Sequence, residues 1–166
     1  SAKDAINKTK TNHIGIIGTH TTINSNIYKN TIQNINATIN TIQIACPLFV
    51  PIIEEGLENT DIAYEVVKLY LNPIMQSKID TLILGCTHYP IISNMLKTVL
   101  STEINLISSG NPIAQVLLAY LTRNEYLNKN DNPITYFYVS DLPNKFQKLG
   151  SKFLNDEMNN IEICEL

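Results

Sequence analysis

Apolar residues in this chain fall into a few short continuous runs, and between the runs they recur every three or four positions. Ile14-Gly15-Ile16-Ile17-Gly18 is the first run and reads as a buried strand. From 22 to 39, Ile23, Ile27, Ile32 and Ile35 recur near helical spacing, although the intervening Asn and Thr are poor helix formers. A second strand is expected over 41–46, closed by Pro47 and followed by an apolar linker over 48–53. Between 61 and 71, Ile62, Val66 and Leu69 fall at i, i+4 and i+7 behind acidic Asp61 and Glu65, which predicts an amphipathic helix. Residues 80–85 are nearly continuous in apolar character, as in a strand covered on both faces. Pro90 then opens a helix that runs to 100, where a missing N–H costs nothing.

A fourth strand is expected over 104–107, and Asn111 with Pro112 begins a helix carrying Ile113, Val116, Leu117, Tyr120 and Leu121. Four strands alternating with helices imply an α/β fold, a parallel sheet of about four strands flanked by helices, with ligands bound beyond the carboxyl ends of the strands. After a polar loop over 124–132, residues 134–139 alternate like a half-exposed strand. A helix with Phe146, Leu149 and Phe153 and a short strand over 161–164 follow. The division expected is a polar lead-in over 1–12, an α/β domain over 13–108 and a C-terminal segment over 109–166.

Composition narrows the class. With 166 residues, 44% of them hydrophobic, there is material for one ordinary core. Twelve basic and 15 acidic residues are spread along the chain, so there is no electrostatic footprint for nucleic acid or an anionic membrane, and small molecules are the expected partners. No apolar run reaches the length of a bilayer span, and the opening Ser1-Ala2-Lys3-Asp4 does not begin a secretory signal, so the expectation is a soluble cytoplasmic protein. Cys46, Cys86 and Cys164 are far apart and odd in number, which argues for reduced thiols rather than a disulfide framework or a paired zinc motif.

One junction concentrates the chemistry. Leu84-Gly85-Cys86-Thr87-His88 follows a buried strand and places a thiol where helix N–H groups and an imidazole can stabilise its thiolate. A cysteine has an ordinary pKa near 8.5, so such surroundings would make it a base or nucleophile near neutral pH. The bland alternative is a small buried filler beside a satisfied histidine. A metal at Cys86 and His88 is the weaker reading, because no further ligands stand at a standard spacing. Glu54 and Glu55, on the residues alone, read as a solvated helix start. Cys46, followed by Pro47, reads as a buried thiol at a strand end, and Cys164 near the terminus as inert.

Three segments carry a family likeness: Gly18-Thr19-His20-Thr21-Thr22, the run from Cys46-Pro47-Leu48-Phe49 to Glu54-Glu55, and Leu82-Ile83-Leu84-Gly85-Cys86-Thr87-His88-Tyr89-Pro90. In order and spacing they resemble glutamate racemase, of the aspartate/glutamate racemase family. The likeness continues through Ser108-Ser109-Gly110 and over residues 137–153. Aspartate racemases usually carry a glutamate after the Cys-Thr pair, where this chain has His88. The resemblance implies a racemase that needs no cofactor, neither pyridoxal phosphate nor a metal. It implies two cysteine bases, one removing the α-proton of glutamate and the other delivering a proton to the opposite face. Cys86 matches the second of these cysteines, acting on L-glutamate. His88 would assist it, and Glu54 matches the family's active-site glutamate on the same side. Thr87 would meet the substrate's α-carboxylate. Thr19 and Thr22 match a Gly-Thr-x-x-Thr segment that approaches the substrate, although Thr22 can equally serve as a helix cap.

The family's first half, with its Asp-Ser pair and its first catalytic cysteine followed by Asn-Thr, has no counterpart here. The resemblance therefore implies half of an active site and a C-terminal segment that packs on the missing N-terminal domain. Such a chain is expected to be inactive alone and to expose an apolar patch that invites homo-oligomers. Two other readings stay open at this point: a non-catalytic ligand-binding or interaction half, and a related racemase acting on another amino acid. The family's role is the supply of D-glutamate for peptidoglycan.

Overall fold

A computed structural model describes residues 1–130 and 132–165; Asp131 of the expected polar loop and the terminal Leu166 lie outside the described residues. The chain divides into two compact units, residues 1–118 and 119–166.

The first unit is built on a four-stranded, wholly parallel sheet of β1 (His13–Gly18), β2 (Asn40–Ala45), β3 (Thr81–Leu84) and β4 (Asn105–Ile107). Spatial order is β2-β1-β3-β4, so the winding reverses between β1 and β3. In such sheets the loops leaving the two strands at the reversal part from each other and open a crevice at their carboxyl ends. The central strands are buried along nearly all their length, while β2, at the edge, is half-buried. Side chains alternate between faces. Ile14, Ile16, Ile83 and Ile107 pack with Ala5, Ile32 and Ile39 on one face. On the other, Leu82 lies over Gly15 together with Ile74, and a Cβ on Gly15 would meet the Leu82 methyl at 2.7 Å.

Several elements differ from the sequence expectation for identifiable reasons. The polar lead-in contains a helix, α1 (Ala2–Lys8), whose Ala5 is fully buried and whose Ala2 and Ile6 pack on the isoleucine cluster. The helix expected over 22–39 is broken into α2 (His20–Asn24) and α3 (Ile27–Ile35). Between them Asn26 takes the left-handed conformation, φ 53°, which asparagine tolerates better than most residues. Its side-chain carbonyl accepts from Gln43 Nε2 at 2.8 Å. The supposed linker over 48–53 forms a short helix, α4 (Phe49–Glu54), with Phe49 and Ile53 buried.

Helix α5 (Asp61–Met75) starts at Thr60, whose hydroxyl accepts from the Ala63 N–H, and it runs on through Pro73. Its buried stripe is Ala63, Val67, Leu71 and Ile74, whereas Ile62 and Leu69 are exposed. The helix carries apolar residues on two stripes, and packing against α4, β2 and the helix after β3 selects the one with the smaller residue at its start. After β3 the chain makes a 3-10 turn, Tyr89–Ile92, before α6 (Ser93–Leu100). The α-helix therefore begins three residues beyond Pro90, and its N–H groups stand farther from Cys86 than expected.

Helix α7 (Gly110–Arg123) follows β4 and leaves Ile113, Val116 and Leu117 more than half exposed. In the second unit β5 (Phe137–Val139) pairs in parallel with β6 (Ile161–Ile163), joined by α8 (Pro143–Leu154). β5 is shorter than the strand expected over 134–139. No helix among the described residues is long and apolar enough to cross a membrane.

Candidate active site

Three segments meet in the crevice at the carboxyl ends of β1 and β3. The loop after β3 carries Cys86, Thr87 and His88. It lies close to the loop after β1, because Gly85 donates its N–H to the Ile17 carbonyl at 2.7 Å. A Cβ on Gly85 would stand 2.8 Å from that carbonyl oxygen, so only glycine permits the approach. Thr22 Oγ1 donates to the Gly85 carbonyl at 3.3 Å, tying the two loops a second time. The cap of α2 is Thr19, whose hydroxyl accepts from the Thr22 N–H, and Thr22 is held inside the helix. The two hydroxyls lie 3.2 Å apart, so both threonines reach the site rim engaged with the scaffold.

The third segment is α4, which ends in Glu54. Glu54 Oε1 and His88 Nε2 lie 3.1 Å apart, and on its other side the His88 Nδ1 lies 4.0 Å from Cys86 Sγ and 3.4 Å from Thr87 Oγ1. A carboxylate accepts only, so the contact with Glu54 assigns the hydrogen of a neutral imidazole to Nε2 and leaves Nδ1 as an acceptor. Nδ1 can then take the thiol proton, and the imidazolium formed is stabilised by Glu54. Thiol, imidazole and carboxylate thus stand in line, with Cys86 half-buried and Thr87 exposed beside it. The helix-start reading of Glu54 is replaced by its position at the end of α4, facing His88.

Cys46 has the opposite environment. It is fully buried, and burial pushes its thiol up to about 12, so it stays protonated. Its Sγ donates to the Ile44 carbonyl at 3.7 Å. Cys164 is exposed in the second unit. No group of three or more His, Cys, Asp or Glu residues among the described residues is placed to hold a metal ion. No role for Tyr89 is expected from its motif, yet its buried hydroxyl donates to the Cys46 carbonyl at 2.9 Å directly behind the site. A phenol adjoining His88 in sequence was the available signal, but its partner is a main-chain atom that no motif records.

A parallel sheet that reverses at β1 and β3, with a cysteine–histidine–glutamate line in the crevice there, defines an α/β protein of the switch-point class equipped to move a proton. Comparison with models of protein families gives no match. Individual proteins do match. The chain is 40% identical over 169 aligned residues to a glutamate racemase of Neisseria meningitidis, covering 99% of this chain and 61% of that protein. It is 36% identical to one of Syntrophus aciditrophicus, covering 99% and 62%. Among solved structures, the glutamate racemase of Francisella tularensis, in complex with D-glutamate, superposes with a TM-score of 0.88 at 38% identity, covering 99% of this chain and 60% of that one. The chain is similar to glutamate racemases over nearly its whole length and corresponds to their C-terminal part. It spans about 60% of the length of the curated relatives it matches.

Proposed function

We propose that this chain supplies one wall of a glutamate racemase active site, with Cys86 as the base and proton donor on the L-glutamate side. The observation that carries the reading is the alignment of Cys86, His88 and Glu54 in the crevice. His88 Nδ1 accepts the Cys86 proton, and the resulting thiolate removes the α-proton of L-glutamate. The electron pair of the broken C–H bond is held by the α-carboxylate, whose oxygens face the hydroxyl and N–H of exposed Thr87. Thr19 and Thr22 border the same space. A second thiol, from the part of the family's chain that is not represented here, delivers a proton to the opposite face and completes the inversion. In the reverse direction Cys86 is the donor. Two bases on opposite faces are needed because one base returns its proton to the side it came from.

Neither a cofactor nor a metal is required by this chemistry. The partners are glutamate and the family's N-terminal domain, which covers the exposed face of α7, where Ile113, Val116 and Leu117 stand in solvent. Left uncovered, that face favours homo-oligomers. The whole protein supplies D-glutamate for peptidoglycan in the cytoplasm, and residues 109–166 pack back on the first domain.

The test is racemisation followed by polarimetry. The chain alone should leave L-glutamate unchanged, since positioning between two walls accounts for much of such a rate. Mixed with a separately made N-terminal half it should racemise glutamate, and Cys86→Ala should abolish this. Full activity of the chain alone, or of the Cys86→Ala mixture, would overturn the assignment.

A further inference from the structure

The line from Cys86 to Glu54 joins two segments far apart in sequence, and something must hold them in register. His88 sits on the loop after β3, while Glu54 is the last residue of α4. At about 1.5 Å of rise per residue, α4 with its six residues is a stub about 9 Å long, so a shift at its first residue is passed directly to its last. Tyr89, the residue after His88, reaches that first residue. Its side chain is fully buried, and its ring meets the ring of Phe49, which opens α4, edge-on with centroids 5.2 Å apart. Its hydroxyl donates to the carbonyl of Cys46 at 2.9 Å, and the same carbonyl accepts from the Phe49 N–H at 3.2 Å, in the turn that launches α4. Phe49 in turn packs edge-on against Tyr70 of α5, with centroids 5.5 Å apart. Burial raises the Tyr89 phenol far above its ordinary value, with the thiols of Cys46 and Cys86 and the Tyr70 phenol acting in the same direction. The hydroxyl is therefore a permanent donor.

We propose that Tyr89 is a positioning residue: its ring and hydroxyl tie the loop carrying Cys86 and His88 to the start of α4, and so hold the His88 imidazole against the Glu54 carboxylate. The inference rests on the reading of Cys86, His88 and Glu54 as a proton-transferring line, and it makes the buried cysteine's main-chain carbonyl, rather than its thiol, the part of Cys46 that serves the site. Deleting the hydroxyl alone should loosen the His88–Glu54 contact and slow the reactions of the Cys86 thiol.

The reactivity of Cys86 reads this directly. In the full chain with Cys164→Ser, the rate of alkylation of Cys86 by iodoacetamide is followed against pH, the label being located by mass spectrometry. Four proteins form a cycle: the parent, Glu54→Gln, Tyr89→Phe and the double variant, with circular dichroism and thermal melts as the check on folding. Glu54→Gln should slow alkylation near neutral pH. Tyr89→Phe should slow it by about threefold to tenfold, the scale of one lost hydrogen bond between neutral groups, and should have no further effect in the Glu54→Gln background. If Tyr89→Phe fails to fold, Phe49→Leu reads the same tie from the α4 side, with the same sign and the same dependence on Glu54.

A slowed Glu54→Gln with an unchanged Tyr89→Phe, or two effects that simply multiply, would overturn the positioning role and leave the proton-transfer reading standing. Unchanged reactivity in Glu54→Gln would overturn that reading, and the role of Tyr89 with it.

Discussion

Residues 1–118 and 119–166 are built from similar pieces, parallel strands joined through helices, yet they bury very different amounts of themselves. In the first unit the central strands are covered on both faces, and residues such as Ile16, Ile83 and Leu96 have no exposed surface. In the second, Val139 and Met158 are the buried residues among those described, and Tyr138, Leu142, Leu154 and Ile163 are more than half exposed. A two-stranded pair is marginal by itself and leans on its one helix, whereas four strands between helical layers enclose a core of their own. The candidate site uses the first unit alone. The proposed proton-transferring line, which depends on distances of 3 to 4 Å, is placed on the part of the chain whose core is complete in itself.

The largest effect that can break this comparison is a cavity. Leu82→Ala, in the fully buried centre of β3, should cost about 2–5 kcal/mol in urea unfolding. Tyr138→Ala, on the exposed face of β5, should stay within about 0.5 kcal/mol. Comparable losses at the two sites would mean that residues 119–166 contribute to the core as much as the sheet does. Next comes Gly85→Ala. Its Cβ would collide with the Ile17 carbonyl, so one of the two loops must shift. About 1–3 kcal/mol of destabilisation is expected, together with altered Cys86 reactivity. Full stability with unaltered Cys86 would show that the close approach of the loops does not matter.

The smallest effect concerns Asp80, at the opposite end of β3. Partial burial alone would raise its carboxyl, but donations from the Thr9 hydroxyl, the Lys10 and Thr11 N–H groups and the Thr81 hydroxyl, at 2.6 to 3.0 Å, outweigh it and hold the carboxyl below its ordinary value. A carboxyl whose folded value is depressed contributes stability that is fully present above the unfolded value, about 3.9, and is lost as pH falls through the folded one. Asp80→Asn should therefore cost about 1 kcal/mol at neutral pH, and the difference from the parent should shrink in acid melts. A difference independent of pH would remove the carboxylate from the account.

Much of this was legible in the chain. β1 and β3 announce themselves as nearly continuous apolar runs, β2 and β4 as shorter apolar stretches, and an alternating order of strands and helices forces the crevice to their carboxyl ends. Cys86, His88 and Glu54 stood in motifs. What could not be read was set by tertiary choice. Helix α5 offers two apolar stripes, and only the neighbours decide that Ala63 and Val67 are buried while Ile62 and Leu69 are not. The break at Asn26 depends on a left-handed residue held by Gln43 from the next strand. Helix α1 is polar in composition, and its single fully buried residue is an alanine. The difference between Cys46 and Cys86 was partly visible, since one precedes a proline and the other a histidine motif, but the tie from Tyr89 to a main-chain carbonyl was not.

The central claim is that Cys86 handles the α-proton of L-glutamate. The direct measurement is deuterium incorporation at the α-carbon of L-glutamate in D₂O, followed by NMR, with this chain and a separately made N-terminal half combined and Cys86→Ala run in parallel. Exchange in the combined protein that vanishes with Cys86→Ala is the result expected. Exchange that persists in Cys86→Ala, or its absence from a mixture that associates and binds glutamate, would contradict the account.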